Sequence, residues 1–180
     1  MDTVETDRLR LRPFTLDDVD AYYEGISSDA DVMRYLPGGK PRLRLDSQWV
    51  VSYFMRHVEL HGFGVWAVED KKSAALIGHA GLEYIPNSDE IEVAYTLAKA
   101  YWGRGLATEA AHASLRYGFE LLDLAEIYAL AFPANEASQK VMRKLGMEYQ
   151  GVTDRYYGSE LACYRVTREG YFAASRETTE

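Results

Sequence analysis

The chain lacks most of what would mark it as anything other than an ordinary folded domain. It has a single cysteine, Cys163, in 180 residues, which excludes an intramolecular disulfide and a cysteine-rich zinc cluster. No uninterrupted apolar run is long enough to cross a bilayer, and the opening MDTVETDRLRLRPF has no apolar signal core. The expected location is therefore the reducing cytoplasm, with no membrane partner. There are only five prolines, and no cluster of proline, glycine or serine forms a linker. Without repeats or charge blocks, residues 1–180 read as one domain, with a short polar tail at 174–180. Positive charge is also scarce: 20 Lys and Arg stand against 28 Asp and Glu, a net charge of −8. That balance argues against a nucleic-acid partner and slightly favours cationic ones such as amines.

What is present is an alternation of strand and helix signals. In RLRLRPF, Leu9 and Leu11 alternate with arginines until Pro13 ends the run. TLDDVDAYYEGI opens with Thr15 and Asp18 at capping-box spacing, which predicts a helix to about Ser27. A second helix is expected from about Leu45 to His61. FGVWAVE, AALIGHAGLEYI and IEVAYTL read as three strands. The clearest pattern follows: Ala107, Ala110, Ala111, Ser114, Leu115, Gly118, Phe119 and Leu122 share one helical face, mostly small at first, suited to lying close against a sheet. IYALAF reads as a strand and NEASQKVMRKLG as a helix ending at Gly146. EYQGV and LACYRVT read as a last strand pair. The order is βααβββαβαββ, an α/β fold with a mixed sheet.

YWGRGLATEA, residues 101–110, sets Gly103, Gly105 and Ala107 between a strand and that small-faced helix. Such a loop lets peptide N–H groups face outward, and the helix adds the positive end of its dipole, so the stretch suits an anion such as phosphate. A P-loop needs Gly, four residues, then Gly-Lys-Ser/Thr, and nothing here matches. A dinucleotide loop needs a third glycine where Thr108 stands and an acid after the next strand, whereas Asp123 and Glu126 precede IYALAF. The remaining reading is an acyl-coenzyme A pyrophosphate loop: Gln or Arg, two residues, Gly, one residue, then Gly or Ala.

WGRGLA at 102–107 sits on that pattern. With TDRLRLRPFTLDD, LIGHAGL, EVAYTLAKAYWGRGLATEA and NEASQKVMRKLGM in order, the chain resembles the GNAT superfamily of acetyl-CoA-dependent N-acetyltransferases. The branch it most resembles is the RimJ/RimL type, named for ribosomal-protein N-terminal acetylation. The resemblance covers about residues 5–170. It implies a mixed, mostly antiparallel sheet flanked by helices, with two central strands splayed to admit the acyl group.

By the same resemblance, the backbone of Gly103, Arg104, Gly105, Leu106, Ala107 and Thr108 binds the coenzyme A pyrophosphate, with side-chain contacts from Arg104 and Thr108. Leu97 offers its N–H and C=O to the pantetheine arm, as an added strand would. Asn135 bonds the arm, and Ser138 lies near the thioester sulfur. The implied reaction is direct attack of a primary amine on acetyl-CoA, with no metal. The acceptor is a protein N-terminal α-amine or a small amine such as an antibiotic, amino acid or polyamine. An alternative is a non-catalytic acyl-CoA sensor or interaction protein. A monomer and a homodimer both remain open.

Two departures from the pattern matter. Trp102 stands where the loop usually begins with Gln or Arg. Met142 stands seven residues after Asn135, where many members carry a tyrosine acid, which leaves Ser138 or a water as the acid. The base candidates are Glu92, on the IEVAYTL strand, and Glu83, which closes the strand before it. Tyr95 reads as packing. His57 and His61 lie one helical turn apart, but Val58 replaces the glutamate of the metalloprotease pattern. His79 and His112 read as core or surface residues. The runs AYY at 21–23 and RYY at 155–157, with Trp49, are candidate walls of the acceptor pocket.

Overall fold

The computed structural model describes residues 1–177, with side chains through residue 174. Eight strands form one sheet in the order β1-β2-β3-β4-β5-β6-β8-β7: β1 (Val4–Glu5), β2 (Leu9–Arg12), β3 (Val65–Asp70), β4 (Ala75–Tyr84), β5 (Ile91–Leu97), β6 (Glu126–Ala131), β7 (Glu148–Thr153) and β8 (Leu161–Thr167). Every pairing is antiparallel except β5 with β6, which is parallel. The expected α/β, mixed and mostly antiparallel architecture is present.

The β5–β6 contact positions the site. β4 and β5 register along their length, from Gly78↔Leu97 to Tyr84↔Ile91, whereas β5 and β6 register only at Glu92↔Tyr128. Beyond that point the two strands part. The free edge of β5 from Val93 to Leu97 therefore lines an opening in the middle of the sheet, as the splayed arrangement requires.

Two helical layers cover the sheet. On one side α4 (Leu106–Glu120) lays Leu106, Ala110, Ala111, Ala113, Ser114, Leu115, Gly118 and Phe119 against it. A Cβ at Gly118 would lie 2.7 Å from Ile127 Cδ1 and 2.8 Å from Leu82 Cδ1, so the small face is small because the sheet is that near. Ala107 and Leu122, expected on that face, are only partly buried, while Leu106 and Ala113 are core. On the other side, Phe14, Val19, Tyr22, Val51 and Phe54 pack on Val65 and Ala67. These come from the N-terminal helical segment and from α3 (Arg44–His61), which ends at Gly62 with φ 77°.

Four expectations need correction. The single helix to Ser27 is a composite: a 3₁₀ turn at Leu16–Asp18, α1 (Val19–Tyr22) and a π turn at Tyr23–Ser27. Asp18 starts it as the spacing implied, accepting from Thr15 N–H at 2.8 Å. However, Gly25 and Ser27 are poor helix formers and tertiary packing sets the path. The short β1 and α2 (Ala30–Met33) were not legible, being too short to show a period. α5 (Glu136–Lys144) stops before Gly146. The tail assigned to 174–180 begins inside α6 (Arg168–Glu177); its last three residues lie outside the described region.

Candidate active site

The glycine loop adopts the conformation its composition allows. Gly103 and Gly105 have φ of 71° and 77°, left-handed values that cost an ordinary residue about 1–2 kcal/mol. Gly105 is the N-cap of α4. Glu109 N–H is the first amide to be taken up, by Gly105 O at 3.1 Å. Among the described residues, the N–H groups of 103–108 have no hydrogen-bond partner. They form a row of free donors at the positive end of a helix. Leu106 is a core side chain, so it contributes only its amide. Arg104 lays its guanidinium over the Tyr101 ring, 5.2 Å from the centroid. Thr108 borders a surface groove of about 630 Å³ shared with Thr6, His112 and Arg116.

The loop is held from the β1–β2 connection. Arg8 donates through Nη1 to Arg104 O at 2.8 Å and through Nε to Glu109 Oε2 at 2.6 Å. Thr6 Oγ1 donates to Glu109 Oε1, also at 2.6 Å. Turning the Arg104 carbonyl toward Arg8 orients the loop. Arg8 and Glu109 are 101 residues apart in sequence, and no local pattern in the chain signals their pairing.

Leu97 lies at the end of β5, on the free edge. Ala98 N–H bonds Ile77 O at 2.7 Å, toward β4, so the N–H and C=O of Leu97 face the other way, into the opening. The Leu97 carbonyl accepts the Trp102 indole N–H at 2.7 Å. Trp102 thus does more than wall the site: it sits on the carbonyl expected to serve an incoming arm. Across the opening, Asn135 Oδ1 accepts Ser138 N–H at 3.2 Å as the cap of α5. That leaves Asn135 its Nδ2 as the free donor. Tyr95, expected to be packing only, reaches across with its hydroxyl 2.9 Å from Ser138 Oγ and 3.0 Å from Ser138 O. Met142 is core.

On the sheet face beneath α1 and α3 stand the two carboxylates. Glu83 and Glu92 are direct cross-strand partners, so their side chains leave the same face with Cβ atoms about 5 Å apart. Tyr53 of α3 donates to Glu83 Oε2 at 3.1 Å, and Tyr157 of the β7–β8 connection donates to Glu92 Oε1. Glu92 is only 6% exposed. Burial pushes its carboxyl up to about 8, against the Tyr157 bond, which lowers it, and with a smaller rise from Glu83. Burial likewise raises Glu83 to about 6, opposed by the Tyr53 bond. Arginines pair with other part-buried acids: Arg12 with Asp18 and Glu69, Arg155 with Glu90, Arg8 with Glu109. No cation of the described chain bonds Glu83 or Glu92.

Two of the four histidines are accounted for by the fold. His57 Nδ1 bonds Phe63 O at 2.9 Å and its Nε2 accepts Tyr84 N–H at 3.3 Å, so both ring nitrogens are committed. His79 is buried, 3.1 Å from the Tyr22 hydroxyl, and burial lowers it to about 4. The RYY run supplies Tyr156 and Tyr157, whose hydroxyls meet Glu90 and Glu92. Trp49 and Tyr53 line a surface cavity of about 480 Å³ with Arg42, Asp46 and Val50. Tyr53 carries that cavity to the edge of Glu83.

The free amides at 103–108 can donate to an anion, the Leu97 edge can pair an extended amide chain, and the buried carboxylates can take a proton. The sequence matches the acetyltransferase (GNAT) domain family over residues 8–148. It is 35% identical over 161 residues to YkkB, an uncharacterised protein of Bacillus subtilis, covering 88% of this chain and 92% of that one. Its structure is similar to a GNAT-family acetyltransferase from Bacillus anthracis, with TM-score 0.79, 28% identity and coverage of 93% and 99%. It is also similar to RimL, a ribosomal L7/L12 alpha-N-protein acetyltransferase solved with coenzyme A, with TM-score 0.77 and coverage of 92% and 97%. At 14% identity that likeness shows the fold alone.

Proposed function

The chain belongs to the GNAT acetyltransferase family, and from that membership we propose that it moves acetyl from acetyl-CoA to a small primary amine, with Glu92 as the proton acceptor. Acetyl-CoA dependence comes with the family. The observation that carries the acceptor reading is the Glu83–Glu92 pair: two carboxylates, mostly out of water, with no cation of the chain bonded to them. A buried acid without a partner is costly, and an ammonium acceptor supplies that partner. A second reading is a protein N-terminal α-amine, the acceptor of the RimJ/RimL type that the sequence resembles.

Bound acetyl-CoA supplies the thioester. The chain's residues do the rest. The N–H groups of 103–108, with the Thr108 side chain, hold the diphosphate, and the free edge at Leu97 and Nδ2 of Asn135 hold the arm. Leu97 N–H stabilises the charge that grows on the carbonyl oxygen. A C–N bond forms and the C–S bond breaks. The nitrogen's proton goes to Glu92 and the thiolate takes a proton from the Tyr95–Ser138 hydroxyl pair, which stands in for the acid absent at Met142. At about 3.3 Å per residue, the strand from Glu92 to Leu97 spans ~16 Å, so the nitrogen's proton reaches Glu92 through water. The test is thiol release from acetyl-CoA across a panel of small amines and amino-terminal peptides. Release with small amines, yielding the N-acetyl product, supports the reading. Release with peptides alone transfers the assignment to protein N-termini.

A further inference from the structure

We infer that Arg8 is a positioning residue for the acyl donor: it keeps the Glu109 carboxylate off the 103–108 amides and cancels its charge, so that those amides stay open to a diphosphate. The inference rests on the acetyl-CoA reading above and adds what sets the donor's affinity.

A carboxylate in the first turn of a helix ordinarily does one of two things. It turns back to accept from the free N–H groups, or it stays near them and gains from the dipole. Either would help α4 as a helix and harm it as an anion site, since a diphosphate needs the same amides and carries the same sign of charge. Glu109 is the acid in that turn. It directly follows Thr108, and Gly105 and Leu106 lie about one helical turn before it, ~5.4 Å of rise.

Both oxygens of Glu109 are turned instead to the β1–β2 connection. Oε1 accepts from Thr6 Oγ1 at 2.6 Å and from Arg8 N–H at 2.9 Å. Oε2 accepts from Arg8 Nε and Nη2, each at 2.6 Å. The same guanidinium uses Nη1 to hold Arg104 O at 2.8 Å. One side chain therefore withdraws the acid and fixes the loop.

The charge around the loop gives that pairing its weight. The groove beside Thr108 is lined by the acids Glu5, Asp7 and Glu109 together with Arg116. Glu5 is matched by Arg10 and Lys71, and Glu109 by Arg8. The Glu109 side chain is only 16% exposed, so salt and water screen it poorly. Without Arg8, an uncompensated acid stands beside the diphosphate and is free to bond the donors meant for it.

The experiment measures the dissociation constant for coenzyme A by calorimetry in wild type, Arg8→Met, Glu109→Gln and the double variant, at low and high salt. Arg8→Met should weaken binding about tenfold or more at low salt, and less at high salt, where the unpaired charge is screened. Glu109→Gln keeps an acceptor oxygen for Arg8 and removes the charge, so it should bind as tightly as wild type or tighter. The double variant should return to within about threefold of wild type. A purely structural brace gives the opposite order: Glu109→Gln weakens binding, and the double variant is no better than Arg8→Met. That order overturns the inference. Equal constants in all the proteins also overturn it and leave the acetyl-CoA reading standing. Wild type that does not bind coenzyme A overturns both. If Arg8→Met does not fold, Glu109→Gln decides alone: weakening of about threefold or more overturns the inference, and unchanged or tighter binding supports it.

Discussion

Glu83 and Glu92 face each other across the β4–β5 ladder, each bonded on one oxygen by a tyrosine hydroxyl from a different part of the chain, Tyr53 from α3 and Tyr157 from the β7–β8 connection. Two acids at that separation titrate as a pair. Burial moves both upward. A proton acceptor works only when ionised, so kcat/KM should rise with pH through a limb near pH 8, well above the ordinary carboxylate value. Glu92→Gln should lose that limb and about 10²–10⁴ of the rate. Glu83→Gln should move it down, because the neighbouring charge is part of what raises Glu92. The full pH profiles of the three proteins check this.

Tyr157 sits at φ 56°, a left-handed value that costs a non-glycine residue about 1–2 kcal/mol, and its hydroxyl rests on Glu92. That bond favours the ionised acid. Tyr157→Phe should therefore shift the limb of kcat/KM to higher pH while leaving the dissociation constant for coenzyme A unchanged, since the connection lies away from the 103–108 loop. Calorimetric titration with coenzyme A alongside the pH profile separates the two effects.

Stability should respond to the same group. The folded-state value of Glu92 is raised to about 8 from an ordinary 4.5, so the folded protein binds the extra proton between those limits. The stability linked to that proton is fully present below about pH 4.5 and is lost as pH rises through about 8. Glu92→Gln, which keeps the shape and removes the charge, should gain Tm relative to wild type, and the gain should be larger at pH 9 than at pH 5. Thermal melts at the two pH values measure it.

Gly105→Ala tests the loop. A Cβ there meets nothing closer than Arg8 Nη2 at 3.6 Å, so the cost is conformational, about 1–2 kcal/mol at φ 77°. For a domain of this size that is several degrees of Tm. The KM for acetyl-CoA should rise more than kcat falls, because the amides it displaces are those proposed to bind the donor and not to act on the acceptor. Melting curves and initial rates at varied acetyl-CoA report both.

Much of the fold was legible because it follows local periods. The strands from β3 to β8 and the helices α3, α4 and α5 carry alternating or helical apolar patterns, and the glycines at 103 and 105 announce their left-handed conformation. What was illegible depends on contacts between distant parts of the chain. The face on which Glu92 lies is fixed by α3 bringing Tyr53 to Glu83, and period-two alternation cannot say which side of a sheet is covered. Tyr95 looked like packing because it shares a face with Val93 and Leu97, yet its hydroxyl is long enough to reach Ser138 on α5. The Arg8–Glu109 bridge and the indole of Trp102 on the Leu97 carbonyl left no local signal at all.

The amides at the start of α4 are proposed to hold the coenzyme's diphosphate. The most direct test is to titrate ¹⁵N-labelled protein with coenzyme A and follow each backbone amide by NMR. The expected result is that the amide protons of Gly103 to Thr108 move downfield together, saturating with the coenzyme's own dissociation constant. Binding of coenzyme A that leaves those six amides unmoved, while others shift, would contradict it.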